Sequence, residues 1–235
     1  MTDSGHLGRD GFFWLHIKKA GGTSFREAFS PPYVQTDRKA PPRDFSLIPR
    51  QEWNDTVNNY RYPLGEFDFR RMLFVSKCLY APDEFSRIFK FVIVRNPYDR
   101  AVSCWRYRVA QGFELDSGAG AFERFLEGLP ENWHSKANRH LAMHSAPIWP
   151  DITDGSGRLL VDRIYRLEEI ELHLPEICAS LGVDQRSLPR RNSLSGENHP
   201  EGLYTRHIRS IIERIYNEDL NGLGYDYWDL SETAI

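Results

Sequence analysis

Phe12-Phe13-Trp14-Leu15-His16-Ile17-Lys18-Lys19-Ala20-Gly21-Gly22-Thr23-Ser24 is the stretch that decides the fold. An apolar run long enough for a short strand leads into lysines and a glycine pair, and a hydroxyl pair then opens a helix. Such a turn grips phosphate or sulfate. Glycines admit the anion close to the backbone. The first N–H groups of a helix lack intrahelical partners and point at the ligand along the helix dipole. Lysine adds charge, and Thr23 and Ser24 add hydroxyl donors. The lysines precede the glycines, so this is not the Gly-x-x-x-x-Gly-Lys-Ser/Thr loop of nucleotide triphosphatases.

A second segment repeats the logic. Phe91-Val92-Ile93-Val94 reads as a buried strand. It runs into Arg95-Asn96-Pro97-Tyr98-Asp99-Arg100-Ala101-Val102-Ser103. Pro97 suits the first helical position and Asn96 the cap before it. Arg95 stands at the strand's carboxyl end. Arg100 and Ser103, three apart, share a helix face. A guanidinium fork and a hydroxyl there suit one phosphate.

Together the segments resemble the two nucleotide motifs of sulfotransferases that use 3′-phosphoadenosine 5′-phosphosulfate (PAPS). The similarity is greatest to the carbohydrate-type branch, whose motifs usually read HIPKTGGTS and RNPxxRxxS. Later matches extend it over most of residues 12–227: the strand before Tyr165-Arg166-Leu167-Glu168, the helix to Leu181, Leu188-Pro189 with Asn192-Ser193, and Leu223-Gly224-Tyr225. The resemblance implies a P-loop-like α/β three-layer sandwich, with a mostly parallel central sheet flanked by helices. It implies that Lys18, Lys19, Gly21, Gly22, Thr23 and Ser24 hold the 5′-phosphosulfate, and that Arg95 and Ser103 hold the 3′-phosphate. Arg190 and Arg191 would fold over the nucleotide. Lys19 would neutralise the leaving phosphate and the transferring group, with no metal required.

The chain departs from that pattern in places. Lys18 and Ala20 replace the usual proline and threonine. Cys78 occupies a position where the family often has a histidine. The proton acceptor therefore stays open among His140, His16, His144, Asp83 and Glu84. Lys77 qualifies only if buried. Two other classes stay open as well. One is a non-catalytic module that binds PAPS or its product 3′-phosphoadenosine 5′-phosphate (PAP), for which Cys78 and Ala20 speak. The other is a nucleotide-dependent kinase, which needs magnesium and a loop this chain lacks.

At 235 residues, with 40% hydrophobic and 27% charged residues, the chain suits one globular enzyme domain over 1–235. A net charge of −3 argues against nucleic acid as a general partner. The expected partner is a saccharide or other small-molecule acceptor. The oligomeric state is not legible. Three scattered cysteines suggest a reducing compartment. With no apolar leader or membrane-length stretch, the expected location is cytoplasmic.

The remaining pattern alternates strands and helices, which implies a parallel sheet with ligands at its carboxyl edge. Residues 1–11 read as a polar tail and 31–70 as a long irregular insertion near the acceptor cleft. Met72–Val75 reads as a second strand and 82–89 as a short helix. Helices follow at 97–110, 119–128, 132–144 and 167–181, with a strand at 159–166. An apolar helical stripe runs from Pro200 to Leu220. Trp53, Tyr60, Trp105, Trp133 and Trp149 are either core residues or platforms for an acceptor ring.

Overall fold

The computed structural model describes residues 11–30, 32–36, 44–59, 64–114, 118–184, 187–188 and 203–227. In chain order the elements are β1 (Phe12–Leu15), α1 (Gly22–Ala28), α2 (Trp53–Asn58), α3 (Arg71–Phe74), α4 (Pro82–Arg87), β2 (Phe89–Val94), α5 (Pro97–Ala110), α6 (Ala119–Trp133) and α7 (Arg139–Ser145). Then come α8 (Trp149–Ile152), β3 (Arg163–Arg166), α9 (Ile170–Leu181), α10 (Arg206–Ile215) and α11 (Asn217–Leu223). The strands form one parallel sheet in the order β1-β2-β3, the α/β arrangement expected. Phe12 pairs with Phe89, and Phe91 with Arg163. Every residue of β2 is buried, as a central parallel strand requires. No helix among the described residues is long and apolar enough to cross a membrane.

The chain divides into two compact units. The first holds the sheet, α1 to α4, residues from Pro150 onward in α8, and α9. Trp14, Phe89, Phe91, Ile93 and Tyr165 of the sheet pack against Phe25 of α1, Phe29 at its C-cap, and Leu174 and Ile177 of α9. Burying such side chains contributes roughly 1.5–3 kcal/mol each. Strand β1 is an edge of this sheet, yet its backbone is satisfied. Asn54 of α2 accepts from the Trp14 N–H at 3.0 Å and donates to the Trp14 carbonyl at 2.8 Å. Asn58 accepts from the His16 N–H at 2.9 Å and also donates to the Trp14 carbonyl. Two amide side chains thus stand in for a neighbouring strand. Buried Arg71 donates to Asp151 at 2.8 and 2.6 Å and to the His16 carbonyl at 3.0 Å, fixing the end of β1.

The second unit holds Lys18–Ala20, α5 to α7, α10 and α11. Its core joins Tyr98, Val102 and Trp105 of α5 with Phe122 and Leu126 of α6 and Ile208, Ile211 and Ile212 of α10. Fully buried Asp219 of α11 accepts from the Ile148 and Trp149 N–H groups, each at 2.7 Å.

Two expectations change. Met72–Val75 is not a strand. It is α3, continued by a π-helical turn over Val75–Leu79. Met72, Val75 and Leu79 are buried at i, i+3 and i+7, a helical spacing that the β-like apolar run concealed. The third strand is shorter than 159–166 and spans Arg163–Arg166, while Asp162 just before it donates its N–H to the Lys90 carbonyl at 2.7 Å. Its carboxylate accepts from the Lys90 N–H at 2.7 Å and pairs with the Lys90 ammonium at 2.9 Å. The 31–70 segment contains α2 and short 3₁₀ turns at Phe45–Leu47, Arg50–Glu52 and Gly65–Phe67. The 1–11 tail lies outside the described residues except for Gly11.

Candidate active site

Because β1 and β2 are parallel neighbours, both anion motifs leave from the same carboxyl edge of the sheet. In the first unit the glycines of the first motif are dictated by close packing. A Cβ on Gly22 would lie 1.7 Å from the His16 Nε2, and one on Gly21 would lie 2.7 Å from Leu167 Cδ1. Gly21, at φ 75°, caps α1 without a side-chain hydrogen bond. Thr23 is exposed there and Ser24 is buried. The His16 ring is buried and stacks on Trp14 at 4.9 Å. It supports the turn from behind Gly22.

In the second unit Lys19 adopts a left-handed backbone, φ 69°, which is unusual for a residue with a Cβ. Its half-buried ammonium lies 4.6 Å from the Tyr107 ring centre, within cation–π range. Burial foremost, and the Arg95 charge after it, lower the amine's pKa from its ordinary value. Arg95 is half-buried at the end of β2. Among the described residues no carboxylate pairs with Lys19 or Arg95. Other basic residues of the motifs are neutralised: Arg26 pairs with Asp55 at 2.5 Å and Arg108 with Glu114 at 3.0 Å.

Arg100 does a different job from the one its spacing suggests. It is buried, and its guanidinium donates to the carbonyls of Lys18 at 3.3 Å, His144 at 3.4 Å and Ala146 at 2.8 Å. It clamps the lysine turn rather than sharing a phosphate with Ser103. Ser103 is half-buried on the same helix, one turn before Tyr107. Asn96 caps α5 as expected, accepting from the Tyr98 N–H at 3.0 Å.

His140 and His144 come together with Tyr107. The two imidazoles are 4.4 Å apart, and His144 stacks on the Tyr107 ring at 5.1 Å and 7°. The His144 Nδ1 is 2.8 Å from the His140 carbonyl oxygen. Burial first, then the charges of His140, Lys18 and Lys19, push the His144 imidazole down to about 3. Burial and the Arg108 charge lower that of His140 as well.

Asp83 is held low by Arg87, and Glu84 by Arg50, in exposed ion pairs. Lys77 and Cys78 are exposed on the π-helical turn. Arg190 and Arg191 lie outside the described residues, as does Tyr60. Trp105 is core, Trp133 donates to Ser145 at 2.9 Å, and Trp149 packs on Gly222. Trp53 is half-buried, with the Arg50 guanidinium 5.5 Å from its ring centre. Tyr107 went unnoticed in the sequence. Its signal was its place one turn beyond Ser103, on the face that begins with Arg100.

No curated protein and no solved structure matches the chain. A family model described as the sulfotransferase family matches residues 7–226, which takes in both anion motifs, the sheet and the histidine pair. The chain belongs to the sulfotransferase family.

Proposed function

We propose that this sulfotransferase moves a sulfuryl group from PAPS to a hydroxyl of a saccharide or another small molecule. The observation that carries this reading is the pair of half-buried cations, Lys19 and Arg95, that no described carboxylate neutralises. Burying cations unpaired is costly, so such positions suit a bound anion. PAPS supplies phosphates and the sulfuryl group. In the transfer the acceptor oxygen bonds to sulfur as the bond from sulfur to the 5′-phosphate oxygen breaks. The protein's task is to position both oxygens and stabilise the spreading negative charge.

Lys19 stabilises charge on the leaving phosphate. Its lowered amine basicity keeps the ammonium eager for an anionic neighbour. Gly21, Gly22, Thr23 and Ser24 offer backbone and hydroxyl donors to the 5′-phosphate, with Lys18 beside them. Arg95 and Ser103 take the 3′-phosphate, and Arg190 and Arg191 close over the nucleotide. His16 keeps the glycine turn in shape. Segment 31–70 helps to shape the acceptor cleft. Three free cysteines suit a reducing compartment.

Millimolar PAP should raise the melting temperature, because a ligand at 100 times its Kd stabilises by about 2.7 kcal/mol. Lys19→Ala should lower transfer from ³⁵S-labelled PAPS by about 10³-fold while leaving the melting temperature of the free protein near that of wild type. A melting temperature that millimolar PAP does not move would refute the reading.

A further inference from the structure

The ring cluster beside Lys19 carries a more specific assignment, which rests on the sulfuryl-transfer reading. His144 is fixed on several sides. A carbonyl oxygen only accepts, so the His144 Nδ1, 2.8 Å from the His140 carbonyl, carries the hydrogen. The lone pair is then on Nε2. The ring lies flat on Tyr107, at 5.1 Å and 7°. The Lys19 ammonium rests over that same phenol ring, 4.6 Å from its centre. Arg100 joins the two supports, donating to the Lys18 carbonyl on one side and to the His144 and Ala146 carbonyls on the other. Sulfuryl transfer needs a cation at the leaving oxygen and a base at the attacking oxygen, held at a set separation. One phenol ring and one buried guanidinium provide that setting.

We propose that His144 takes the acceptor's proton on Nε2, with its tautomer set by the His140 carbonyl and its place relative to Lys19 set by Tyr107 and Arg100. His140 acts through its carbonyl as a positioning residue. The step balances: the acceptor O–H proton passes to Nε2 while the oxygen bonds to sulfur. The bond from sulfur to the 5′-phosphate oxygen breaks, and PAP leaves. The imidazolium returns its proton to solvent.

The groups facing His144 make this step depend on the donor. Lys18 and Lys19 face it from the turn, Tyr107 and the Arg100 guanidinium from α5, and His140 from its own helix. Burial and these cations keep the imidazole neutral at pH 7, the form a base needs, but leave it a weak base. An anion bound by Lys18 and Lys19 cancels their share of the lowering, which is smaller than that of burial, and raises the basicity of Nε2. The base is then competent when the donor is in place.

The test joins kinetics with spectroscopy. Wild type, His144→Asn and His140→Asn are assayed with ³⁵S-labelled PAPS against a panel of sugars, oligosaccharides and phenols. Wild type labelled with ¹⁵N-histidine is titrated from pH 7.5 to pH 4 with and without PAP. His144→Asn should lose on the order of 10²–10³-fold in kcat. That is at least tenfold more than His140→Asn loses, and PAP affinity should hold within about threefold of wild type. In the wild-type spectrum, one imidazole should stay the neutral Nδ1–H tautomer at pH 6.5 and should titrate at a higher pH with PAP than without it, and its signal should be missing from His144→Asn. The proposal is overturned if His140→Asn loses as much as His144→Asn, or if PAP binds wild type without raising the pH at which that imidazole titrates. The spectroscopic arm uses wild type alone, so a misfolded variant cannot rescue the idea. Failure of PAP to bind at all would instead remove the sulfuryl-transfer reading, and this assignment with it.

Discussion

The two units hold their shares of the lysine-glycine turn by different physics. In the first, Gly21 and Gly22 are held by steric contact with Leu167 and His16. In the second, Lys18–Ala20 are held by a guanidinium on a carbonyl and an ammonium on a phenol ring. Close packing tolerates no added atom but is indifferent to pH. Charges and hydrogen bonds tolerate reshaping but respond to protonation and to ligands. Substitutions in the first unit should therefore cost folding, and those in the second should alter chemistry and pH response.

The largest effect tests the packed half. Gly22→Ala puts a Cβ 1.7 Å from the His16 Nε2. The imidazole has little room to retreat. It stacks on Trp14, and its own N–H and carbonyl are tied to Asn58 and Arg71. A loss of about 3 kcal/mol is expected, read as a lower urea midpoint. Adding His16→Ala to the same chain should recover most of that loss, a non-additivity that contacting residues show. A Gly22→Ala protein as stable as wild type would mean that the turn is not held by packing.

How much of this was legible follows the same division. The strand-turn-helix order and the Asn96-Pro97 helix start are local signals, and they hold. The buried strand was legible because Phe91–Val94 is apolar throughout, as a strand covered on both faces is. Signals failed where partners are distant in sequence. Met72–Val75 reads as a strand until Arg71 is seen bound to Asp151, far along the chain. Arg100 reads as a phosphate ligand until three carbonyls from two other segments are seen to claim it. The Tyr107–His144 stack likewise joins helices whose relation no local pattern encodes.

A smaller effect sets two buried aspartates against each other. Asp55, in the first unit, meets burial that would raise its pKa. Donors from Thr36 and Tyr33 and the Arg26 charge outweigh it, so the carboxyl stays below its ordinary 3.8. Asp219, in the second, has backbone N–H donors and the more distant Arg100 charge, and burial lifts it to about 6. The signs are opposite. Asp55 contributes stability above pH 4 that is lost as pH falls further. Asp219 costs stability above pH 6, and the cost fades as pH falls toward 4. Relative to Asp219→Asn, wild type should gain about 2 kcal/mol between pH 7 and pH 4. His144 pulls the other way in that window, since a lowered imidazole loses stability as pH falls below 6.5. It is present in both proteins, so it cancels in the difference. Relative to Asp55→Asn, wild type should be flat down to pH 5. A flat Asp219 difference would remove the contrast.

The smallest effect asks whether the charged half stores strain. Lys19 is left-handed at φ 69°, in a region that costs a residue with a Cβ about 1 kcal/mol and glycine almost nothing. Lys19→Ala and Lys19→Gly both remove the ammonium and should both lose transfer. They differ in the Cβ and in unfolded-state freedom, and the latter favours alanine. If Lys19→Gly is nevertheless more stable than Lys19→Ala, by about 1 kcal/mol or less in chemical denaturation, the backbone is strained as folded. The Arg100 clamp on the Lys18 carbonyl then holds Lys19 against that strain, which aims its side chain at the Tyr107 ring. If alanine is the more stable, the turn adopts its shape without force, and Arg100 fixes position only. In that case the second unit would resemble the first, with a conformation settled by local fit, and the division of labour between them would rest on charge alone.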